Sequence, residues 1–147
     1  MKYMKRYGPS SPPMNKEELR EYLAIPYLMD IATISPTGYP HVTPVWFDYD
    51  GECFLVSTLR ERQKTQNLLK NPKAGFSIAQ PDLPYAAVIG YGDISIEEDP
   101  GEKFTMKVTY KYITPPEKAE AYFKELTEGP GTRVILKIKP RWLFSWR

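Results

Sequence analysis

One cysteine and one histidine are all that 147 residues offer of the commonest metal-ligating and nucleophilic side chains. Cys53 on its own excludes an intramolecular disulfide, which suits a reducing cytosol, and its place inside an apolar run reads as a small buried hydrophobe rather than a nucleophile. His41, directly after Pro40, reads as a turn or surface residue, and its solitude nearly excludes a histidine-based metal site or a conventional triad. Charge of one sign is also missing. Twenty basic residues stand against 18 acidic ones, a net +2, so the chain lacks the field of a protein that coats nucleic acid and any electrostatic function is local. No apolar stretch is long enough to span a membrane, and the charged start from Met1 to Pro13 has no apolar signal core. The expectation is a cytoplasmic protein with no membrane partner and a basic, proline-rich arm over residues 1–13, either flexible or packed on a partner through Tyr3 and Tyr7. Neither a Walker motif nor G-x-G-x-x-G occurs.

What is present is enough chain for one domain, residues 14–147, which at this size buries about 70% of its unfolded surface. Asn15 with Glu18 three residues on is a capping-box variant that opens a helix from Lys16 to about Leu23, stopped before Pro26. Strands are expected over Tyr27–Ser35 and His41–Tyr49, joined by a turn through Gly38, and Asp48-Tyr-Asp-Gly51 is a hairpin signal into a strand over Glu52–Thr58. A surface helix from about Arg62 to Leu69 follows, then strands over Ala74–Ala79 and Tyr85–Glu97, the second with a bulge or close approach marked by Gly90 and Gly92. Phe104–Ile113 is ambiguous and leans to helix. Thr114 caps a further helix running to about Glu128, and Thr132–Lys139 and Arg141–Trp146 are final strands broken at Pro140. Antiparallel strands at short spacing with inserted helices describe a mainly β protein with flanking helices, a small closed or half-closed barrel.

The segment from Phe54 to Pro72 is the richest in chemistry. An apolar strand ends there in Ser57 and Thr58, and Arg60, Arg62 and Lys64 follow at the start of a helix whose first N–H groups are free. Hydroxyl donors, a planar guanidinium and an ammonium at a helix N-terminus suit a phosphate. A solvated basic helix face is the plainer alternative, and Arg60, farthest from the helix body, fits the anion reading least. In the strand from Val42 to Asp48 both faces are apolar, which implies burial on both. Pro44 cannot donate to a ladder, so a break or edge there frees backbone groups near Val45 and Trp46 for a planar ring edge. Trp46 reads equally well as plain core. The acids Glu97, Glu98 and Asp99 read as a solvated loop end. Near the C-terminus, Trp142, Phe144 and Trp146 alternate with other residues, either as one face of a last strand or as a stacking platform.

The order Ile31 to Phe47, Asp50-Gly51, Ser57-Thr58, Arg62-x-Lys64-x-x-Asn67 and Asn71-Pro72 resembles the pyridoxamine 5′-phosphate oxidase-like flavoproteins, the FMN-binding split-barrel superfamily, and most closely its small members. The resemblance implies a dimeric, six-stranded antiparallel split β-barrel with a cofactor site in each groove between subunits. It implies that Val45, Trp46 and Phe47 line an isoalloxazine, that Ser57, Thr58, Arg62 and Lys64 hold the phosphate, and that Asn67 supports that loop. Partner-chain residues around Ile78–Gln80 and the C-terminal aromatics would complete the site. FMN is the implied cofactor, with the 5-deazaflavin coenzyme F-420 as the alternative. Gln63-Lys64 stands where vitamin B6 oxidases carry Arg-Lys, and their C-terminal arginine-rich segment has no counterpart here, so B6 oxidation is not expected. The leading expectation is a homodimeric oxidoreductase passing hydride to or from a small organic molecule, the chemistry residing in the cofactor. A carrier of flavin, deazaflavin or haem without turnover is the second reading. A barrel binding single-stranded nucleic acid is the third and least favoured, so no nucleic-acid partner is expected.

Overall fold

In a computed structural model of the chain, which describes residues 13–147, seven antiparallel strands form a single sheet in the order β2-β1-β5-β6-β7-β4-β3. The elements are α1 (Lys16–Ala24), β1 (Met29–Ile34), β2 (Pro40–Val45), β3 (Asp48–Tyr49), β4 (Phe54–Leu59), α2 (Gln63–Lys70), β5 (Lys73–Ala79), β6 (Ala87–Glu98), α3 (Lys103–Tyr112), α4 (Pro116–Glu128) and β7 (Arg133–Trp146). The proposed N-terminal arm falls outside the described residues, Pro13 apart.

The expected single strand from His41 to Tyr49 is instead two. β2 and β3 lie at opposite edges of the sheet, joined by Trp46 and Phe47 alone. Three Cα–Cα steps reach at most about 11 Å, so the two edges meet at that corner without pairing, and the sheet curls into a half-barrel with an open seam. This break accounts for seven strands rather than six. It also removes the expected burial on both faces, since β2 is an edge strand with Val42 59% exposed.

Inside the curl, Met29, Ile31, Phe47, Phe54, Val56, Ile78, Val88, Leu136 and Ile138 are fully or almost fully buried. α1 closes one end with Leu19, Tyr22 and Leu23. Its capping box forms as read: Asn15 Oδ1 accepts from Glu18 N at 2.8 Å, and Asn15 N donates to Glu18 Oε1. β7 runs unbroken through Pro140, against expectation, because the register shifts between Tyr91 and Gly92 and Pro140 meets that bulge rather than a regular ladder position. The ambiguous segment is the helix α3. Thr105, Val108 and Thr109 are buried on one face at helical spacing, and this tertiary burial outweighs the strand propensity of its Val, Thr and Tyr residues. Asp99, expected in solvent, is buried. Its carboxylate accepts from Phe104 N and Thr105 N, serving amides of the first turn of α3. Thr114 is not the cap of α4, whose N-cap is Pro115 with no side-chain bond. Cys53 is buried, and burial pushes its thiol pKa up. His41 lies within the edge strand β2 opposite Thr33, half-buried, with its Nδ1 buried and unpartnered. None of the described helices is long and apolar enough to cross a membrane.

Candidate functional site

Beside the seam, a cavity of about 350 Å³ opens between the end of β2, the outer face of β4, the start of α2 and the helix pair α3–α4. That volume sits at the small end of the range for ligand pockets, as expected of a site open on one side. Its polar lining includes Ser57, Thr58, Arg62, Lys64, Thr105 and Arg133.

The cations reach it by two routes. β4 ends at Leu59, and Thr65 Oγ1 donates to the Leu59 carbonyl at 2.7 Å, pinning α2 to the strand it follows. This aims Arg62 and Lys64 into the cavity, while Arg60 is not part of its lining. Arg62 is the N-cap of α2 and gives no side-chain cap bond, so the helix's first N–H groups have no side-chain partner. Arg133 arrives from the far end of the sequence because the β4–β7 register sets it opposite Leu59. Its Nη2 donates to the Leu126 carbonyl at 3.3 Å, and its Nε is buried with no partner. Burial lowers the Lys64 pKa, and the Arg62 charge adds to the effect. Burial likewise lowers that of Arg133, with Glu102 and Asp99 opposing and Arg62 reinforcing. Among the described residues no carboxylate lines the cavity, so three cations share a partly desolvated space, and an anionic ligand relieves their mutual repulsion.

Two aromatic rings, Trp46 and Tyr122, also line the cavity, and Tyr112 supports Trp46 from outside the lining. Trp46 stacks on Tyr112 at 5.1 Å and 8°, and Tyr122 tilts against it at 5.4 Å. Tyr112 is anchored through its hydroxyl, which donates to the Tyr27 carbonyl at 2.6 Å and accepts from Phe47 N at 3.2 Å. Its pKa is pushed up to about 12, chiefly by burial. The Lys111 ammonium sits 4.0 Å above the Phe47 ring and donates to the carbonyls of Leu23 and Phe47. Burial lowers its pKa to about 8.

Of the eight residues singled out in the sequence, Val45, Trp46, Ser57, Thr58, Arg62 and Lys64 line the cavity. Phe47 does not: its side chain is in the core and both its backbone groups are bonded to α3. Asn67 lies buried beneath α2, accepting from Gln63 Nε2 and donating to Thr33 Oγ1. Sequence reasoning missed Arg133, Thr105, Thr109 and Tyr122, since no local pattern ties α3, α4 or β7 to the anion corner. The C-terminal aromatics stand elsewhere, stacked with Tyr91 on the outer face of β6 and β7. A groove of about 550 Å³ crosses that region, but its Arg141 is already paired with Asp93.

A half-barrel of antiparallel strands with a cation- and aromatic-lined cavity at its seam defines a split-barrel protein. The chain belongs to the pyridoxamine 5′-phosphate oxidase family, whose sequence profile matches residues 15–147. Among solved structures it is similar to an F-420 reductase, at 30% identity over 84% of this chain and 94% of that one, with a TM-score of 0.64. A conserved hypothetical protein from Mycobacterium tuberculosis is 26% identical over 90% of this chain and 84% of that one, with a TM-score of 0.73. The haem storage protein HutZ of Vibrio cholerae shares the fold alone, at 15% identity over 87% of this chain and 92% of that one, with a TM-score of 0.63. None of the curated proteins compared with the chain matches it.

Proposed function

We propose that this protein is an oxidoreductase that binds FMN or the deazaflavin coenzyme F-420 in the seam cavity and passes hydride to or from a small organic molecule. The observation that carries the reading is the meeting of Arg62, Lys64 and Arg133, none of them ion-paired among the described residues, with the aromatic rings of Trp46 and Tyr122 in one cavity. The cations suit a phosphate and the rings suit a planar heterocycle. The bound cofactor supplies the hydride chemistry, while Arg62, Lys64 and Arg133 fix its charged end and Trp46 and Tyr122 shape the space beside its ring. The 30% identity to an F-420 reductase supports a redox role and gives the deazaflavin equal standing with FMN.

Haem is the rival ligand, given the fold shared with HutZ. Among the described residues the cavity lining contains no histidine, cysteine or methionine, so of the usual axial ligands this chain offers only Tyr122 there. This favours a flavin.

The site as proposed is completed by a second copy. Support comes from the outer face of β2, β1, β5, β6 and β7, where the small residues Ala32 and Gly75 separate Val42 from Tyr91 and Trp142 in one cross-strand row. Val42 and Tyr91 are 59% and 53% exposed, and Trp142 Nε1 is buried with no partner. An exposed apolar patch of this kind marks an association surface. Absorbance and mass spectrometry of the purified protein test the reading: a copurifying flavin or deazaflavin, or uptake of either when added, is expected. A colourless protein indifferent to both overturns it.

A further inference from the structure

Resting on the flavin reading, we infer that Ser57 accepts a hydrogen bond from the ligand instead of giving one, so that the hydroxylated chain of the cofactor, and not its phosphate, lies against this residue. A chain of two hydrogen bonds, from Ser57 to Thr105 and from Thr105 to Asp99, fixes the direction. The Asp99 carboxylate accepts from Phe104 N and Thr105 N, both at 2.9 Å, and from Thr105 Oγ1 at 2.7 Å. A threonine hydroxyl has one proton, and that proton is committed to the carboxylate, which can only accept. Ser57 Oγ lies 2.7 Å from the same Thr105 Oγ1, so the hydrogen between them belongs to Ser57. Ser57 therefore meets the cavity it lines with lone pairs alone.

A phosphate dianion is itself an acceptor, and against Ser57 it would set lone pairs against lone pairs. Turning Ser57 toward a phosphate would strip the buried Thr105 oxygen of its donor, an unfavourable exchange. An alcohol carries the proton that Ser57 lacks. FMN and the deazaflavin coenzyme share a ribityl chain with several such hydroxyls. The phosphate is then left to Arg62, Lys64 and Arg133, which have no competing carboxylate among the described residues of the cavity lining. Thr105 and Asp99 act as positioning residues that hold the Ser57 hydroxyl in its accepting orientation.

Three ligands separate the possibilities in the intact protein: lumiflavin, with neither polyol nor phosphate; riboflavin, with the polyol; and FMN, with both. The 5-deaza counterparts of each are run in parallel. Ser57→Ala is expected to weaken riboflavin and FMN alike, about three- to tenfold, the effect of one neutral hydrogen bond, and to leave lumiflavin unchanged. Arg62→Ala is expected to weaken FMN and spare riboflavin. Ser57→Cys, which preserves shape with a poor acceptor, should reproduce the alanine pattern, and thermal melts verify that each variant is folded. A Ser57→Ala loss confined to FMN, or no loss with any ligand, overturns the inference and leaves the flavin reading standing. Wild-type protein that binds none of the six compounds overturns the flavin reading itself.

Discussion

Lys64 and Arg133 serve one cavity but differ in how far the sequence reveals them. Lys64 follows two hydroxyl residues and Arg62 in a single local run, so its role can be read directly. Arg133 stands on the last strand, and only the pairing of Leu59 with Arg133 brings it there; no local pattern encodes a partner so distant in sequence. Lys64→Ala is expected to weaken FMN by about 1.5–3 kcal/mol, the range for hydrogen bonds to charged groups. Arg133→Ala should cost about as much, and Arg133→Lys should restore only part, because an ammonium lacks the planar fork of a guanidinium. Fluorescence titration measures all three, and unchanged affinities would move the phosphate elsewhere. Three further residues set a pH dependence. Lys111 titrates near 8 in the folded chain and near 10.5 when unfolded. The unfolded chain therefore binds more protons across that window, and stability rises with pH through it. Tyr22 and Tyr112 are pushed from 10.0 up to about 12, chiefly by burial. Above pH 10 the unfolded chain ionises them first, so their contribution to stability is lost toward pH 12. Urea midpoints should climb from about pH 8 to 10 and then fall, and Lys111→Met should flatten the climb.

Among the elements, those set by neighbouring residues were legible and those set by barrel closure were not. The capping box of α1 and the turn at Gly51 (φ 98°) need only a few consecutive residues, and both form as read. The break at Trp46–Phe47 has no such signal. An apolar run reads as one strand, and only the need to carry the chain from one sheet edge to the other divides it. Pro140 misled for the same reason, since a proline reads as a strand end until Gly92 is seen across from it. That pairing is tight: a Cβ on Gly92 would lie 2.1 Å from the Lys139 carbonyl oxygen. Gly92→Ala is expected to destabilise the fold by about 3 kcal/mol, the upper end for overpacking. Gly129 is the contrast: it is the C-cap of α4 with φ −76°, and a Cβ placed there would meet nothing within 4 Å. Gly129→Ala should be neutral or stabilising by up to about 1 kcal/mol through the unfolded state. Chemical denaturation of the two variants gives the comparison.

At the scale of the whole molecule, the two unusual surfaces lie on different parts of the same sheet. The cavity faces α3 and α4 across β4, whereas the aromatic row Tyr91, Trp142, Phe144 and Trp146 occupies the outside of β6 and β7. None of the described helices packs extensively on that second surface, since α1 lies mainly against β3, α2 against β1 and α3 against α4 and β4. The proposed second copy would cover it, and the separation of the surfaces makes the consequence testable. Val42 and Tyr91 contribute to the outer face and are not part of the cavity lining. A Val42→Glu, Tyr91→Glu double variant places like charges on a surface that a twofold axis would set against itself. Sedimentation should then report a monomer that melts cooperatively, while Lys64→Ala, altered only in the cavity, should sediment like the wild type. The affinity of the double variant for cofactor distinguishes the two ways in which the site could be built. If the partner supplies part of the groove, binding falls together with dimerisation although every cavity residue of the chain is intact. Full affinity in a proven monomer would mean that the roughly 350 Å³ cavity of a single chain is sufficient, and that the aromatic face serves assembly alone.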